Sequence, residues 1–286
     1  MNIAITGATG YLGGLIATSL TTDGHSVVRL VRNPHSPQDR LFQIAGPHSS
    51  DLLKDIDVLV HCAYDMQART PQDIWSINVR GTESLFALAH SSGVSRTILL
   101  SSMSAFSGTR QLYGRAKLEI EDVGRDIGAF LIRPGLVYGP NPGGMSGTLM
   151  RLTRLPIVPL IAPKAHQFTV HQDDLLRALS AIVQMEPAGV APTDPIGIAN
   201  PRPVLFKDVL TGFAERQGRT IRFVPVSWRL VRAALGTAER AHLPLPVRSD
   251  SLLGLVESAP NVPNLEWSEH MNLTFRRFNQ PVPYIS

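Results

Sequence analysis

The chain has 286 residues, 43% hydrophobic and 17% charged. That is enough for one large α/β domain with a smaller appended lobe, and too apolar for disorder over most of the length. A net charge of +4 without a dense basic block argues against nucleic acid and suits an anionic small ligand, while the lack of a run of about 18 apolar residues argues against a membrane span, and Cys62, as the single cysteine, excludes an internal disulfide.

The segment 1–32 reads as strand, glycine-rich turn, helix and strand. Ile3 and Ile5 fit a strand buried on both sides, beginning at residue 2 or 3; this leaves no room for a signal peptide, so a cytoplasmic location is expected. The turn carries Gly7, Gly10 and Gly13, spaced G-x-x-G-x-x-G. The helix places Leu12, Leu15, Ile16 and Leu20 on one face. Gly24 suits the C′ position, and Val27, Val28, Leu30 and Val31 form the next strand. A helix that starts directly after a strand turns its free N–H groups and positive dipole end toward the sheet edge, where a pyrophosphate binds. Glycines there let the backbone turn tightly and approach a ligand closely. The pattern therefore predicts a dinucleotide site at Gly7, Thr9, Gly10, Tyr11, Leu12 and Gly13. An NAD site usually ends its second strand with a carboxylate that accepts from the ribose hydroxyls. Here Val31 and Arg32 stand at that point, Arg29 is nearby, and no carboxylate follows until Asp39. An arginine would meet a 2′-phosphate, so NADP is favoured and NAD is the alternative.

Residues 33–37 read as a loop, Leu41 to Ile44 as a short third strand, and Leu52 and Leu53 as the start of a short helix. Asp57 to Ala63 is a buried strand whose small end, Cys62 and Ala63, lets a cofactor lie close. After a polar stretch, a helix is expected from about Ile74 to His90 with Ile77, Leu85, Phe86 and Ala89 inward. Arg96 to Leu100 is a strand closing in Ser101, Ser102, Met103 and Ser104. Tyr113 and Lys117 open a helix to about Asp126, and Ala129 to Arg133 is the next strand, followed by Pro134. Strands alternating with helices predict a doubly wound parallel sheet of the Rossmann kind. From Asn141 the composition changes to proline- and glycine-rich connections. Helices are expected at Leu175 to Met185, Lys207 to Gln217 and Trp228 to His242, with a returning strand at Gly197 to Ala199. The expected organisation is a dinucleotide-binding domain over 1–140, with 166–200 returning to it. A smaller substrate-binding lobe would comprise 141–165 and 201–286, with Phe168, Trp228 and Met145 as candidate pocket walls.

Tyr113 and Lys117 are four apart, so both side chains share one helix face. A free phenol has a pKa of about 10, and a nearby ammonium lowers it. The tyrosine can then exchange a proton with a carbonyl or hydroxyl oxygen while a hydride moves. A hydroxyl from the serine cluster can hold the substrate oxygen.

Taken together, the motif around Gly7 to Gly13, Asp57 to Ala63, Asn78-Val79-Arg80-Gly81-Thr82, Ser101-Ser102, Tyr113 with Lys117, Arg133 to Pro140 and His171 to Asp174 resembles the short-chain dehydrogenase/reductase superfamily, extended type, also labelled the NAD-dependent epimerase/dehydratase group. The resemblance covers roughly residues 1–176. It implies that Tyr113 is the acid/base, that Lys117 binds the nicotinamide ribose and tunes the tyrosine, and that Asn78 supports a proton-relay water. It also implies that a serine near residue 102 orients the substrate. The extended-type alignment puts that position at Met103 and the superfamily's other main type at Ser102. Ser102 is chosen, with Ser101 and Ser104 as alternatives. Sugar-nucleotide epimerases of the group often carry asparagine where this chain has Leu136. The leading expectation is an oxidoreductase moving a hydride between NADP(H) and a carbonyl or secondary alcohol of a small-molecule substrate. The alternatives are a nucleotide-sugar epimerase or dehydratase that recycles its cofactor, and a non-catalytic NADP sensor. No metal is expected. Members often dimerise, which makes the faces around Leu85 and Leu118 candidates for a homodimer.

Overall fold

A computed structural model describes residues 1–185, 191–241 and 248–279. The chain runs β1 (Asn2–Thr6), α1 (Tyr11–Thr22), β2 (Ser26–Val31), β3 (Asp39–Leu41), β4 (Val58–His61), α2 (Pro71–Asp73), a π-helical run (Ile74–Val79), α3 (Arg80–Ser91), β5 (Arg96–Leu100), α4 (Leu112–Asp126) and β6 (Phe130–Pro134). It continues through β7 (Leu136–Tyr138), α5 (Gly144–Leu152), β8 (Ile157–Leu160), β9 (His166–Gln167), β10 (Thr169–His171), α6 (Gln172–Gln184), β11 (Ile196–Ile198), β12 (Val204–Leu205), α7 (Phe206–Glu215), β13 (Arg222–Pro225), α8 (Trp228–Arg240), α9 (Ser249–Val256) and α10 (Leu265–His270).

The central sheet has seven strands in the order β11-β6-β5-β4-β1-β2-β3, every pair parallel. This is the doubly wound sheet expected from alternating strands and helices. Each strand sends successive side chains to opposite faces. Ile3, Ile5, Val60, Ile98 and Ile132 face one layer, closed by Ile16 and Leu20 of α1 and Leu179 and Ile182 of α6. Ala4, Leu59, Leu99 and Leu131 face the other, closed by Leu85 and Phe86 of α3 and Ile120 of α4. Both faces are covered, so the strands read as continuous apolar runs. Arg96, at the start of β5, donates to the carbonyls of Ile182, Val183 and Met185. It satisfies the C-terminal carbonyls of α6 and ties that helix to the sheet.

Several local expectations shift. The third strand lies at 39–41, two residues before the expected start at Leu41, because Asp39 accepts from Arg29 Nε at 2.7 Å and from the backbone N–H groups of His35 and Ser36, which fixes it beside β2. Leu52 and Leu53 are buried in turns, not in a helix. Leu85 is buried in the core and so is not a surface for a second copy. The short helices α5, α9 and α10 add to the expected elements, and the expected helix end at His242 lies outside the described residues. A third hydrophobic cluster, including Leu149, Val158, Phe206, Leu210 and Phe213, forms the interior of the lobe.

Gly13 shows how tightly the first turn is built. A Cβ there would stand 2.2 Å from the Gly7 carbonyl oxygen. A Gly13→Ala substitution is therefore expected to displace α1 from the turn and destabilise the fold by about 1–3 kcal/mol, read as a lower denaturation midpoint. An unchanged midpoint would contradict the close packing.

Candidate active site

The C-terminal ends of the central strands meet under a cavity of about 750 Å³, lined among others by Tyr11, Leu12, Ser102, Tyr113 and Pro134. The first strand ends at Thr6, and Gly7 then turns with φ +66°, which favours glycine. Gly10 precedes α1 with extended backbone and no side chain caps the helix; its first turn holds no acidic residue. The first N–H groups of α1 thus have no side-chain acceptor, a donor set that fits a pyrophosphate. Thr9 and Gly10 are exposed, whereas Tyr11 and Leu12 are half-buried beside the cavity. Tyr11 donates its hydroxyl to Gln172 Oε1 at 3.3 Å.

A buried polar chain starts at the same turn. The Thr6 hydroxyl oxygen accepts from the N–H groups of Cys62 and Ala63, both at 3.0 Å. Its hydrogen is therefore directed at His61 Nδ1, 2.8 Å away. The Thr82 hydroxyl donates to the Asn78 carbonyl at 2.7 Å, so its oxygen accepts from His61 Nε2 at 3.0 Å. His61 is thereby fixed as the neutral Nε2–H tautomer. Burial, the Lys117 charge and His48 hold its pKa down at about 3. Asn78 lies in the π-helical run, and its amide closes the chain on the Asp65 backbone: Oδ1 accepts from the N–H at 2.6 Å and Nδ2 donates to the carbonyl at 3.3 Å. Asn78 thus positions the segment after β4.

Tyr113 and Lys117 lie on one face of α4, as their spacing requires. Lys117 is buried, and its ammonium donates to the Leu100 carbonyl at 2.8 Å. It stands 5.2 Å from the Tyr64 ring centroid and 6.0 Å from that of Tyr113. Tyr64 meets Tyr113 edge-on at 4.9 Å. Burial pulls the Lys117 pKa down to about 8, with Cys62 and Glu121 acting the other way. Burial pushes the Tyr113 phenol up to about 12, against a hydrogen bond with Ser102 that lowers it. The expectation of a phenol lowered by lysine is therefore reversed. Desolvation sets the direction, and the opposing influence comes from Ser102 and not from Lys117, whose ammonium is bound to the Leu100 carbonyl. Burial likewise raises the Cys62 thiol to about 12, which keeps it protonated and a poor nucleophile.

The serines divide by partner. Ser101 donates to Glu121, which also holds Arg133 in an ion pair. The Ser102 hydroxyl faces Tyr113 and accepts from the Ser104 N–H at 3.1 Å. Pro134 lines the cavity and accepts from the Met103 N–H through its carbonyl. Arg32 is exposed at the end of β2, while Arg29 is engaged by Asp39, whose carboxyl is held down at about 2 by that hydrogen bond first. Phe168 and Met145 line the cavity, as expected; Trp228 packs against the lobe interior instead. No cluster of metal-ligating side chains occurs among the described residues.

Four further residues shape the site. Tyr64 and His61 flank the small end of β4. Glu121 continues the spacing of Tyr113 and Lys117 by four more residues, a signal that a buried carboxylate shares their helix face. Asp250 comes from the lobe and accepts from the N–H groups of Leu112 and Tyr113, capping the helix that carries the tyrosine. No local pattern announces that contact.

A glycine-rich turn after β1, a serine-bearing strand end and a Tyr/Lys pair on one helix face thus meet at one cavity. The chain belongs to the NAD dependent epimerase/dehydratase family, whose model matches residues 3–194. It is 30% identical over 199 residues to a ceramide reductase of Caulobacter vibrioides, covering 66% of this chain and 62% of that protein. It is 30% identical over 185 residues to a UDP-glucose 4-epimerase of Vibrio cholerae, covering 53% and 56%. The chain thus spans less than two thirds of either relative. Among solved structures, gox2253 superposes with a TM-score of 0.73 at 17% identity, over 96% of this chain and 93% of that one. MoeE5 in complex with UDP-glucuronic acid and NAD gives 0.68 at 21%, over 95% and 100%. These structures share the fold.

Thr82→Val keeps the shape of the side chain and removes the hydroxyl that joins His61 to Asn78. It is expected to cost about 1–3 kcal/mol of stability by leaving buried polar atoms unpaired, with Thr82→Ser close to the parent. Denaturant titration of both variants checks this; equal stability of all three proteins would contradict the chain of donors.

Proposed function

We propose that this protein is an NADP(H)-dependent oxidoreductase that interconverts a carbonyl compound and its secondary alcohol, with Tyr113 as acid/base. The observation that carries the reading is the half-buried Tyr113 phenol, which lines the cavity together with Ser102 and has the Lys117 cation 6.0 Å from its ring centroid. The similarity to a ceramide reductase supports a reductive role. Gly7, Thr9, Gly10, Tyr11, Leu12 and Gly13 would hold the dinucleotide, with Cys62, Ala63 and Pro134 as the walls against which it lies. Arg32 would take the 2′-phosphate, because Val31 offers no acceptor and Asp39 is spent on Arg29 and two backbone N–H groups.

When bound, the nicotinamide supplies or accepts the hydride. Ser102 holds the substrate oxygen and Tyr113 gives it a proton in the reducing direction. A phenol with its pKa raised to about 12 is fully protonated at neutral pH, so it is set to act as the acid. Lys117 stabilises the phenolate left behind and Asn78 holds the backbone around the pair. The second reading, a nucleotide-sugar epimerase with an internally recycled cofactor, draws on the Vibrio cholerae relative and uses the same residues.

Purified protein should consume NADPH in the presence of a carbonyl substrate, and consume NADH more slowly. Arg32→Ala should weaken NADPH binding roughly tenfold to a hundredfold, the loss of one charge-assisted contact, and leave NADH binding unchanged; equal effects on both cofactors would remove Arg32 from that role. Tyr113→Phe should abolish turnover and keep cofactor binding. The pH profile carries a further expectation. Lys117 is charged below its pKa of about 8 and neutral above it, so the reduction rate should hold below pH 8 and fall as pH rises through it. A rate that climbs across that window would contradict the assignment.

A further inference from the structure

The cavity beside Tyr113 is walled by three separate apolar clusters. Met103, Phe168 and Ala259 present one wall, and Leu136, Met145 and Leu255 a second. Ala68 and Ile74, with exposed Met66 on the preceding loop, present a third. Several polar side chains between them are spent inside the protein, whereas Gln111 Oε1 and Ser146 Oγ are buried without a partner. Arg248 donates to the carbonyls of Met66 and Ala68. Asp250 caps α4, Glu257 is paired with Arg110, and Gln167 donates to the Leu255 carbonyl. Ser258 donates to the His166 carbonyl. The charged lining thus holds two arginines, Arg151 and Arg248, against two carboxylates, Asp250 and Glu257, so these charges balance.

A diphosphate bound here would meet no excess of positive charge. An uncharged chain would meet apolar walls, with polar contacts concentrated at Tyr113 and Ser102. Pockets of this make-up bind by apolar burial and orient through a few polar points.

We infer that the substrate is an uncharged ketone or aldehyde carrying a long or bulky apolar group, whose carbonyl meets Ser102 and Tyr113 while the apolar group lies along the walls formed by Met66, Leu136, Met145, Phe168 and Leu255. This rests on the reductase reading and goes beyond it by naming the substrate class. Selectivity then comes from burial of hydrocarbon, and each methylene that reaches the walls raises kcat/KM roughly fourfold until the cavity is filled.

The test is a homologous series of 2-alkanones, from 2-butanone to 2-undecanone, reduced by the full chain with saturating NADPH. In parallel, the matching alkanols displace the uncharged fluorophore N-phenyl-1-naphthylamine, and UDP-glucose binding is measured by calorimetry. The expected result is a kcat/KM and an alkanol affinity that both climb with chain length, with no heat from UDP-glucose. Met66→Glu, at an exposed wall position that tolerates charge, should lower the ratio of 2-undecanone to 2-butanone kcat/KM tenfold or more. A series that is reduced equally well at all lengths, or UDP-glucose binding that competes with the alkanols, would overturn the inference. If no ketone is reduced but alkanol affinity still climbs with length, the apolar site stands and the reductase reading fails. If affinity is also flat, both fail.

Discussion

A parallel sheet that grows outward in two directions from one strand leaves a crevice at that strand's end, and the glycine-rich turn of this protein stands at that crevice. β1 is flanked by β2 on one side and β4 on the other, so the connections leaving them pass to opposite faces. Close packing holds the crevice to one shape. Gly13 sits against the Gly7 carbonyl, and Gly7 itself against the backbone of Cys62 and Ala63, so the first helix cannot move relative to the strand ends. The Thr6 hydroxyl then ties β1 to the end of β4 through two N–H groups, without leaving a buried donor unpaired.

The same economy explains how an ionisable pair survives in the interior. Lys117 is charged and buried, which is costly unless its donors are satisfied. The Leu100 carbonyl, the faces of two tyrosine rings and the nearby Glu121 carboxylate make that tolerable, and the depressed pKa is the residue of the cost. Tyr113 is pushed in the opposite sense by the same desolvation, as a neutral group whose ionisation is resisted. One environment therefore moves an acid up and a base down, bringing the lysine close to neutral pH. The lobe contributes as well: Asp250 caps the tyrosine's helix, so the position of the phenol depends on α9 as much as on the sheet.

What could be read from the residues alone follows from how local each feature is. The glycine spacing and the Tyr113/Lys117 spacing are fixed by geometry within one turn or one helix, and both were legible. The sheet was legible because apolar runs alternate with amphipathic helices. The third strand was misplaced because an ion pair between Arg29 and Asp39, and not hydrophobicity, decides where pairing begins. Glu121 could have been found from its helical spacing; Asp250 and Arg248 could not, since more than a hundred residues separate them from what they touch. The direction of the Tyr113 shift was unreadable for a related reason: it turns on how deeply the ring is buried and on which carbonyl the lysine prefers. Trp228 looked like a pocket wall by type alone, and the register of α8 turns it to the lobe interior instead.

In the proposed reaction, hydride leaves the cofactor for an outside carbonyl. NADPH deuterated at the transferable C4 position, incubated with the protein and 2-undecanone, tests it directly by mass spectrometry of the extracted alcohol. The expected product is 2-undecanol carrying one deuterium at the carbinol carbon. Bound NADPH that keeps its deuterium, with no labelled alcohol formed, would contradict it.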